Sequence, residues 1–518
     1  MSTAIEQDET VRQLARDGKF REAIEACDRM NQQFPEFERG WYTASRLAMQ
    51  LKEPQLAVSA IDRALRLSPG KPAWLLHRLE CLVESGDIAS ARVTAAHLFD
   101  HQFESATASA SFASLLSQLG MHAESQRHYV RAVELAPNEA QFHYDLAAVE
   151  HTLGNVEAAQ KAVTQCLSMS PDRASAHLLR AGLRTQSAES NNVEALEAAY
   201  KRLGENPRRR VQICHALAKE HEDMGAYGKS FAYLAEGATT RREQMNYRPE
   251  NDIAILERIR NVYTEELFDG HVEGFVNAEP IFVVGMPRSG TTLVDRILGR
   301  HSVVNSAGAL QAFSVELSKH CRKTVGDEIS DGVELVDRSL SIDFQALGED
   351  YIARARPGAE TSAFFVDRLP LNFLYVGLIH LALPKAKIVL LDRDPMDTCC
   401  AAYKTLFERV NPYSYDLDEL PNYYVEYRKL TDHWQTVMPD VVHVVKYEDL
   451  AEKPKPIVEN LLSYCGLSFE EGCLSFYQSD AGPTADRVRS SLFESSVGSW
   501  RNYESQLAPV AKILGVNL

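Results

Sequence analysis

A period of thirty-four residues in the amino-terminal part of the chain constrains its fold more than any other feature. One phase of the period is held by Gly18, Gly86, Gly120 and Gly154, with Lys52 in the slot that lacks a glycine. Five positions after the slots come Ala23, Ala57, Ala91, Ser125 and Ala159, and seventeen positions after them come Pro35, Pro69, Phe103, Pro137 and Pro171. The pattern predicts antiparallel helix pairs, with glycine in the turn, a small residue where the helices approach, and proline ending the second helix.

This pattern resembles tetratricopeptide repeats across about residues 4–245. A sixth, longer unit has Ala195 and Pro207 in register around a polar insert at 186–192, and a seventh runs through Gly225 and Phe231. Such helix pairs bury their apolar faces by stacking, and the stack leaves a concave groove. The resemblance implies an acceptor protein or peptide in that groove. Packing against a catalytic domain, or dimerisation, would use the same surface, and the oligomeric state stays open.

Beyond the repeats the pattern changes twice along the chain. Residues 246–273 leave the repeat register and predict a connecting helix that stops at Gly270. From about Gly274, short apolar strands alternate with helices, which predicts a mostly parallel sheet covered on both faces. We therefore predict three parts, a repeat array at 1–245, the connecting helix at 246–273 and an α/β domain at 274–518. The fold class is an α-solenoid followed by a P-loop-type α/β domain.

Residues 281–300, IFVVGMPRSGTTLVDRILGR, have the pattern of a buried strand, a loop and a helix. The spacing from Gly285 to Gly290 matches a nucleotide-triphosphate loop, but Thr291 and Thr292 stand where that loop has lysine followed by serine or threonine. Arg288 supplies a charge inside the loop instead, so the ligand is expected to be a smaller anionic group than a triphosphate. The amides and hydroxyls of residues 289–292 suit one phosphate with another charged group beyond it.

Composition excludes several classes of protein. A formal net charge of −17 and a pI near 5.5 argue against nucleic-acid binding, which depends on cationic side chains. The nine cysteines have no C-x-x-C pair and no metal-ligand spacing, so they are expected to be reduced, mostly buried thiols and no metal site is predicted. The chain shows no signal peptide pattern and no run of eighteen apolar residues. We therefore expect a soluble, cytoplasmic protein without a membrane contact.

Four short motifs follow one another along the α/β part of the chain: PRSGTTL after a strand, VDRLPLNF at 366–373, RDP at 393–395 and YEDL at 447–450. They resemble the motifs of sulfotransferases that use 3′-phosphoadenosine 5′-phosphosulfate (PAPS), above all bacterial tetratricopeptide-repeat sulfotransferases and tyrosylprotein sulfotransferases. The resemblance implies that PAPS is the co-substrate and that no metal takes part. It implies that Arg393 holds the 3′-phosphate, that Arg368 replaces a lysine near the sulfonate, and that the nucleotide is bound by Pro287, Arg288, Ser289, Gly290, Thr291, Thr292, Arg393, Tyr447 and Arg489.

Several positions depart from the family's pattern. Ala401 replaces a serine that helps to hold the 3′-phosphate, and Asp392 adds an acid before Arg393, so we expect this subsite to be weakened. Ser499 stands where related chains have a basic residue, which leaves Arg487, Arg489 and Arg501 as candidate contacts of the anion. Ala309 occupies the position of the family's catalytic glutamate. The candidates to replace that base are His301, Asp367 and Glu316.

The prediction from these residues is a PAPS-dependent sulfotransferase in which Arg288, Arg368, Asp367 and His301 carry the chemistry. The acceptor is a hydroxyl, with a protein tyrosine, a sugar or a small phenol all fitting. The alternative is a catalytically impaired nucleotide-binding protein whose repeats act as a scaffold. That alternative is favoured by four residues that depart from the family's pattern at functional positions, Ala309, Ala401, Arg368 and Ser499. An ATP-dependent kinase is disfavoured because Thr291 replaces the lysine.

Overall fold

A computed structural model gives the structure of residues 3–202, 206–269, 274–325, 329–356, 362–407, 410–475 and 496–518. The chain divides into two compact units, Met1–Arg184 and Thr185–Leu518. Gly270, Arg487 and Arg489 lie outside the described residues. No helix within the described ranges is long and apolar enough to span a membrane. The nine cysteines are free and buried, as the sequence predicts.

The first unit consists of antiparallel helix pairs. Its helices are α1 Ala4–Arg16, α2 Phe20–Gln33, α3 Glu38–Gln50, α4 Pro54–Leu67, α5 Pro72–Ser85, α6 Ile88–Ala96, α7 Ala106–Gln118, α8 His122–Leu135, α9 Ala140–Thr152, α10 Val156–Met169 and α11 Ala174–Gly182. Lys52 has φ 62, so this lysine adopts the left-handed turn conformation that glycine takes in the other repeats. The small residues five positions after each slot are fully buried: Ala23, Ala57, Ala91, Ser125 and Ala159. The helix-pair prediction is confirmed.

The second unit begins with more helices, α12 Val193–Arg202, α13 Pro207–Asp223, α14 Tyr227–Glu243, α15 Pro249–Val262 and α16 Glu265–Asp269. These helices pack against the part of the chain that carries the sheet. Arg242 on α14 forms an ion pair with Glu419 at 2.7 Å, and Ser230 on the same helix hydrogen-bonds Tyr503 at 3.0 Å. The insert at 186–192 lies between α11 and α12, so the sixth predicted repeat unit is divided between the two compact units, whereas the seventh, which runs through Gly225 and Phe231, lies within the second.

The sheet has five parallel strands in the order β2-β3-β1-β4-β5. The strands are β1 Pro280–Gly285, β2 Val304–Ser306, β3 Phe364–Asp367, β4 Lys387–Asp392 and β5 Val442–Lys446. The helices around them are α17 Thr291–Leu298, α18 Ala312–Val325, α19 Gly332–Arg338, α20 Phe344–Ala355, α21 Val376–Ala382, α22 Pro395–Tyr403, α23 Glu419–Val437, α24 Tyr447–Glu452, α25 Pro454–Cys465 and α26 Ala508–Leu514. The predicted α/β class with a parallel sheet is confirmed.

Both faces of the sheet are buried, and β1 shows how the sequence produces this. Ile281 and Val283 face one hydrophobic cluster with residues of α17 and α25. Phe282 and Val284 alternate with them and face a second cluster that includes Phe313. Because successive side chains of a strand point to opposite faces, a strand buried on both sides is apolar at every position.

The strand order also decides where a ligand can bind. After β1 the chain continues through α17 to β2 on one side of the sheet, whereas after β4 it continues to β5 on the other side. Neighbouring strands whose connections diverge in this way leave a crevice at their carboxyl ends. The residues that follow β1 and β4 include Arg288 and Arg393, so the topology brings the two predicted anion-binding segments together.

Candidate functional site

The loop between β1 and α17 has an unusual backbone. Gly285 has φ 152, Arg288 has φ 73 and Gly290 has φ 109, and the amide of Ser289 donates to the carbonyl oxygen of Met286 at 3.0 Å. A left-handed conformation is uncommon for an arginine, and strained residues of this kind concentrate at functional sites. Position 290 needs glycine for a second reason, because a methyl group there would lie 2.5 Å from Cδ2 of Tyr447.

The loop presents donors that the fold does not use. The amides of Gly290, Thr291 and Thr292 precede or begin α17, so they have no acceptor within the helix. The hydroxyl oxygen of Ser289 is buried, with only 1 % of the residue exposed, and has no hydrogen-bond partner among the described residues. A buried hydroxyl without a partner costs free energy unless a ligand supplies one. This loop therefore has the geometry of an anion cradle at a helix N-terminus.

A cleft of about 740 Å³ opens beside the loop. Its cationic lining consists of Arg288, Arg296, Arg368 and Arg393, and one wall is apolar, formed by Leu369, Leu371, Leu374, Tyr375, Phe407 and Val410. None of the described residues that line it carries a carboxylate. The chain as a whole has a net charge of −17, so this concentration of arginine marks a site for an anionic ligand.

Arg393 connects the two anion-binding segments. It follows β4, and its guanidinium donates from Nη1 to the carbonyl oxygen of Arg288 at 2.9 Å and from Nη2 to that of Ser496 at 2.9 Å. Its Nε is buried and has no hydrogen-bond partner in the part of the chain that the structure describes. The pKa of Arg288 is lowered, first by the protein around its guanidinium and then by the charge of Arg393. The charge of Arg393 thus disfavours the Arg288 cation, and an anion between the two guanidinium groups would compensate both charges.

The sequence gives two reasons to expect weak anion binding at Arg393, namely Ala401 and Asp392, and the structure removes the second. Asp392 forms an ion pair with Arg428 on α23 at 2.6 Å, so its charge is compensated locally. Ala401 does lack a hydroxyl, and its carbonyl oxygen accepts from the hydroxyl of Thr405 at 2.8 Å. Arg428 lies thirty-five residues beyond Arg393 in the sequence and no motif indicates it.

The segment around residue 497 is attached to the site by two further residues. The phenolic oxygen of Tyr447 lies 2.7 Å from the hydroxyl oxygen of Ser496. Asp397, which the sequence analysis missed, accepts from the amides of Gly498 at 2.6 Å and Trp500 at 3.1 Å. Its only sequence signal is its place in the first turn of the helix that follows the RDP segment. Tyr447 lines the cleft as predicted, whereas Ser499 does not.

Arg368 lies on the opposite side of the loop and is held at several points. Its amide donates to the carbonyl oxygen of Gly308 at 2.9 Å, and its Nη1 lies 3.5 Å from the hydroxyl of Thr292. Its Nε lies 2.9 Å from a carboxylate oxygen of Asp295, a residue of α17 that is 6 % exposed. Burial raises the pKa of Asp295, which a hydrogen bond from Ser306 and the charge of Arg368 partly oppose. The sequence analysis missed Asp295, whose signal is its position one turn after Thr291.

The three candidate bases do not line the cleft. Asp367 is fully buried and accepts four hydrogen bonds, from the amides of Leu310 and Leu369, the Tyr351 hydroxyl and the Asn372 amide group. Burial raises the pKa of Asp367 to about 6. His301 bonds to the Ser468 carbonyl oxygen at 3.0 Å and lies 3.5 Å from Glu470, and Glu316 is paired with Lys319 and Arg354.

The position of the family's glutamate is exposed to solvent. Ala309 lies between Gly308, whose carbonyl oxygen binds the Arg368 amide, and Leu310, whose amide binds Asp367. The two bonds attach this turn to the end of β3, beside Gln311, which lines the cleft. In the described parts of the chain, no three His, Cys, Asp or Glu side chains are grouped so that they could hold a metal ion.

Comparison with family models identifies both parts of the chain. The model described as the sulfotransferase family matches residues 280–471, which include the loop, the sheet and all the described lining residues of the cleft except Ser496. The tetratricopeptide-repeat model matches residues 11–72, 42–97 and 111–163, all of which lie in the first compact unit. The resemblance inferred from the motifs is therefore confirmed at the level of these two families.

The individual proteins that resemble this chain share less than a third of its residues in the aligned regions. A protein of Aquifex aeolicus (strain VF5) whose name states no function is 29 % identical over 379 residues, which is 71 % of this chain and 49 % of that protein. The chain therefore spans about half the length of this relative. A Caenorhabditis briggsae protein named "Putative protein-tyrosine sulfotransferase" is 24 % identical over 258 residues, 45 % of this chain and 88 % of that one. Among solved structures, the sulfotransferase domain of the Synechococcus PCC 7002 olefin synthase is 20 % identical, covers 48 % of this chain and 98 % of its own, and has a TM-score of 0.33.

Proposed function

We propose that this chain, whose residues 280–471 form a domain of the sulfotransferase family, transfers a sulfuryl group from PAPS to an acceptor hydroxyl. The observation that carries the proposal is the cleft at the switch point of the sheet, where four arginines and no carboxylate line the described surface. A phosphosulfate and a 3′-phosphate are both anionic and would lie at the two ends of this cationic surface. Within the described ranges, the buried hydroxyl of Ser289 and the buried Nε of Arg393 both lack hydrogen-bond partners, which supports ligands at both ends.

Each part of the loop has a role in this proposal. The amides of Gly290, Thr291 and Thr292 would bind the 5′-phosphosulfate, and Arg288 would neutralise it. Arg393 would hold the 3′-phosphate with its Nε and the outer edge of its guanidinium. Arg368 would lie at the sulfonate and stabilise the charge that develops on its oxygens during transfer. PAPS supplies the activated sulfuryl group, and the residues around it supply position and charge.

The acceptor would bind along the apolar wall of the cleft. Leu371, Leu374 and Tyr375 suit the ring of a phenol, and the hydroxyl would then point towards the arginines. On transfer the acceptor oxygen forms a bond to sulfur, the bond from sulfur to the 5′-phosphate oxygen breaks, and the acceptor proton leaves. Because no carboxylate or imidazole lines the described cleft, we infer that the proton passes to solvent or that the phenol binds already ionised. A protein tyrosine is the acceptor that the similarity to the Caenorhabditis protein favours.

The repeats would hold a protein partner. Two cavities of about 1060 and 480 Å³ in the first unit share Tyr42, Arg46 and Gln50 in their linings, so they adjoin along α3, and we infer that together they form a groove. Repeat superhelices commonly bind extended peptides in grooves of this kind.

The second candidate function is nucleotide binding without efficient transfer. It is favoured by Ala309, because a methyl group cannot accept a proton and this residue stands at the family's catalytic position. In that case the repeats would be the working surface, and the nucleotide would regulate or stabilise the chain. Both functions require the same anion site, so they share a first test and differ in the second.

The first test is calorimetric titration with the product nucleotide, 3′-phosphoadenosine 5′-phosphate (PAP), without added metal. We expect binding, and we expect Arg288→Ala and Arg393→Ala each to weaken it by roughly ten- to a hundredfold, the usual cost of removing one charged partner. Arg258→Ala is the control, since Arg258 pairs with Asp337 at an exposed position. Unchanged affinity in both cleft variants would overturn the assignment.

The second test separates enzyme from binding protein. Wild-type protein is mixed with PAPS and a series of phenols, and PAP release is followed. Turnover that increases as the phenol becomes more acidic supports transfer without a protein base. Binding of PAP with no release above the Arg288→Ala background would favour the binding protein.

A further inference from the structure

The ion pair between Asp295 and Arg368 joins a buried carboxylate to a residue of the cleft. Asp295 is 6 % exposed, and the side chain of Arg368 is 32 % exposed where it reaches the cleft. The two atoms in contact, Oδ2 of Asp295 and Nε of Arg368, are 2.9 Å apart. Asp295 therefore contacts the buried Nε edge of the guanidinium, and part of the Arg368 side chain remains exposed in the cleft.

We propose that Asp295 is a positioning residue that aims the guanidinium of Arg368 at the transferring sulfonate. This inference rests on the proposed function. An arginine side chain has several rotatable bonds, and the charge of Asp295 at 2.9 Å from the Arg368 Nε favours orientations of the guanidinium that keep this contact while its outer nitrogens remain available. The nearby Thr292 hydroxyl, 3.5 Å from Nη1, limits rotation on the other side.

The position of Asp295 in the fold explains how it performs this role. It lies on α17 one turn after Thr291, so the same helix presents the anion cradle at its start and the carboxylate four residues later. The backbone of Arg368 is attached independently, through its amide and the Gly308 carbonyl oxygen. Loss of Asp295 would thus free the side chain of Arg368 and leave its backbone in place.

The alternative that Asp295 is itself the base does not fit its location. Asp295 is not among the residues that line the cleft, and its carboxylate meets Arg368 in the direction of the ligand. An arginine stays protonated at all relevant pH values and does not relay a proton. Asp295 therefore acts through Arg368.

The test compares PAPS with PAP, because the two nucleotides differ only in the sulfonate. Calorimetry is carried out on the full chain, without acceptor, for wild type, Asp295→Asn, Arg368→Ala and the double variant. We expect each single variant to lower the ratio of PAPS affinity to PAP affinity by about tenfold, with PAP affinity itself changed less than threefold. In the double variant, the ratio of PAPS affinity to PAP affinity should fall no further than in Arg368→Ala alone.

Two controls separate positioning from stability. Asp337→Asn removes the carboxylate of the exposed pair with Arg258 and should leave the ratio unchanged. Asp295→Glu keeps the charge and should retain most of the wild-type ratio, and it carries the test if Asp295→Asn does not fold. The proposal would be overturned if Asp295→Asn weakened PAPS and PAP binding equally. It would also be overturned if Asp295→Asn lowered the affinity ratio further in the Arg368→Ala background.

The outcomes also separate this inference from the proposed function. If wild type binds neither nucleotide, the proposed function fails. If wild type binds both and Asp295→Asn leaves the ratio unchanged, the proposed function stands and the positioning role is wrong. In an assay with an acidic phenol, positioning predicts that Asp295→Asn raises the KM for PAPS about tenfold, in step with its weaker PAPS binding, without loss of the acidic limb of the pH profile that loss of a base would cause.

Discussion

The guanidinium of Arg393 lies over the ring of Tyr447, with its carbon 4.5 Å from the ring centroid. The same ring lies against Gly290 of the loop, and its hydroxyl meets Ser496. One tyrosine therefore contacts the loop between β1 and α17, the arginine that follows β4 and the segment that follows residue 495. A cation over an aromatic face keeps its edge free for hydrogen bonds, so Tyr447 can hold Arg393 in place without occupying its donors.

We predict that Gly290→Ala destroys nucleotide binding and destabilises the second unit. The new methyl group would lie 2.5 Å from Cδ2 of Tyr447, and φ at this position is 109, which an alanine adopts only under strain. Displacing the ring would also displace Arg393. PAP titration and thermal unfolding measure the two effects.

Gly308→Ala is the matched control for this experiment. Gly308 has φ 78, and a methyl group there would meet nothing within 4 Å. It therefore reports backbone strain alone, about 1–2 kcal/mol for a residue forced into the left-handed region. If the two variants lose the same stability and the same PAP affinity, contact with Tyr447 is not what requires glycine at 290.

Sequence reasoning succeeded where the structure depends on local backbone. The turn slot of the repeat requires a left-handed residue. The period alone places Lys52 in this slot, and Lys52 adopts that conformation. It was incomplete where function depends on side chains that meet across the sheet. Asp295 and Arg368 are seventy-three positions apart, and Asp392 and Arg428 are thirty-six apart, and their contacts follow from strand order and register, which the motifs do not contain.

Limited proteolysis with endoproteinase Glu-C is expected to cut first after Glu189. Residues 187–191 are exposed between two anchors, the Gln186 amide bound to Asp223 and Asn192 bound to Glu220. Exposed segments outside helices are the preferred sites of cleavage. Mass spectrometry should show a resistant fragment that begins at residue 190, and Glu189→Gln should abolish it.

The sequence alone predicts a different site, in residues 245–277. The structure has α15 within the second unit, where Arg260 pairs with Glu426 at 2.7 Å. Repeat periodicity identifies helix pairs, but it does not report what those pairs pack against, so it does not reveal this connection. First cleavage between residues 245 and 277 would support the sequence-based boundary instead.

Asp367 makes the stability of the second unit depend on pH. Its folded-state pKa is raised to about 6, mainly by burial, from an ordinary value near 3.8. The folded state therefore binds this proton more tightly than the unfolded chain does, and the free energy of unfolding falls as pH rises from about 4 to above 6. The asparagine of Asp367→Asn cannot titrate. As pH rises through this window, wild type should therefore lose up to about 3 kcal/mol of unfolding free energy relative to the variant.

Urea unfolding of wild type and Asp367→Asn at intervals from pH 4 to 7 measures this shift. The absolute stability of the variant is expected to be lower at pH 4, because the amide nitrogen that replaces one carboxyl oxygen cannot accept a hydrogen bond. Asp337→Asn controls for the loss of one negative charge at an exposed position. A difference between wild type and Asp367→Asn that is constant across the window would contradict the raised pKa.

The last prediction concerns Ala309, which decides between an enzyme and a binding protein. Its turn is attached to the end of β3 on both sides, through Gly308 and Leu310, and its own side chain is exposed. A glutamate at this position would extend from a fixed backbone next to Arg368 and Gln311, both of which line the cleft. Its charge would be offset by Arg368, so we expect nucleotide binding to survive.

If the acceptor hydroxyl binds beside this turn, Ala309→Glu supplies the missing base. Transfer to a simple phenol should then rise by about a hundredfold, the lower end of what a positioned base contributes. Wild-type turnover should increase with pH as the phenol ionises, towards about pH 10 for a tyrosine-like acceptor, and the variant should depend on pH less steeply. Ala309→Gln is the control, since glutamine matches glutamate in shape and lacks its basicity. High wild-type turnover that Ala309→Glu leaves unchanged would show that another group already accepts the proton and that Ala309 lies away from the acceptor.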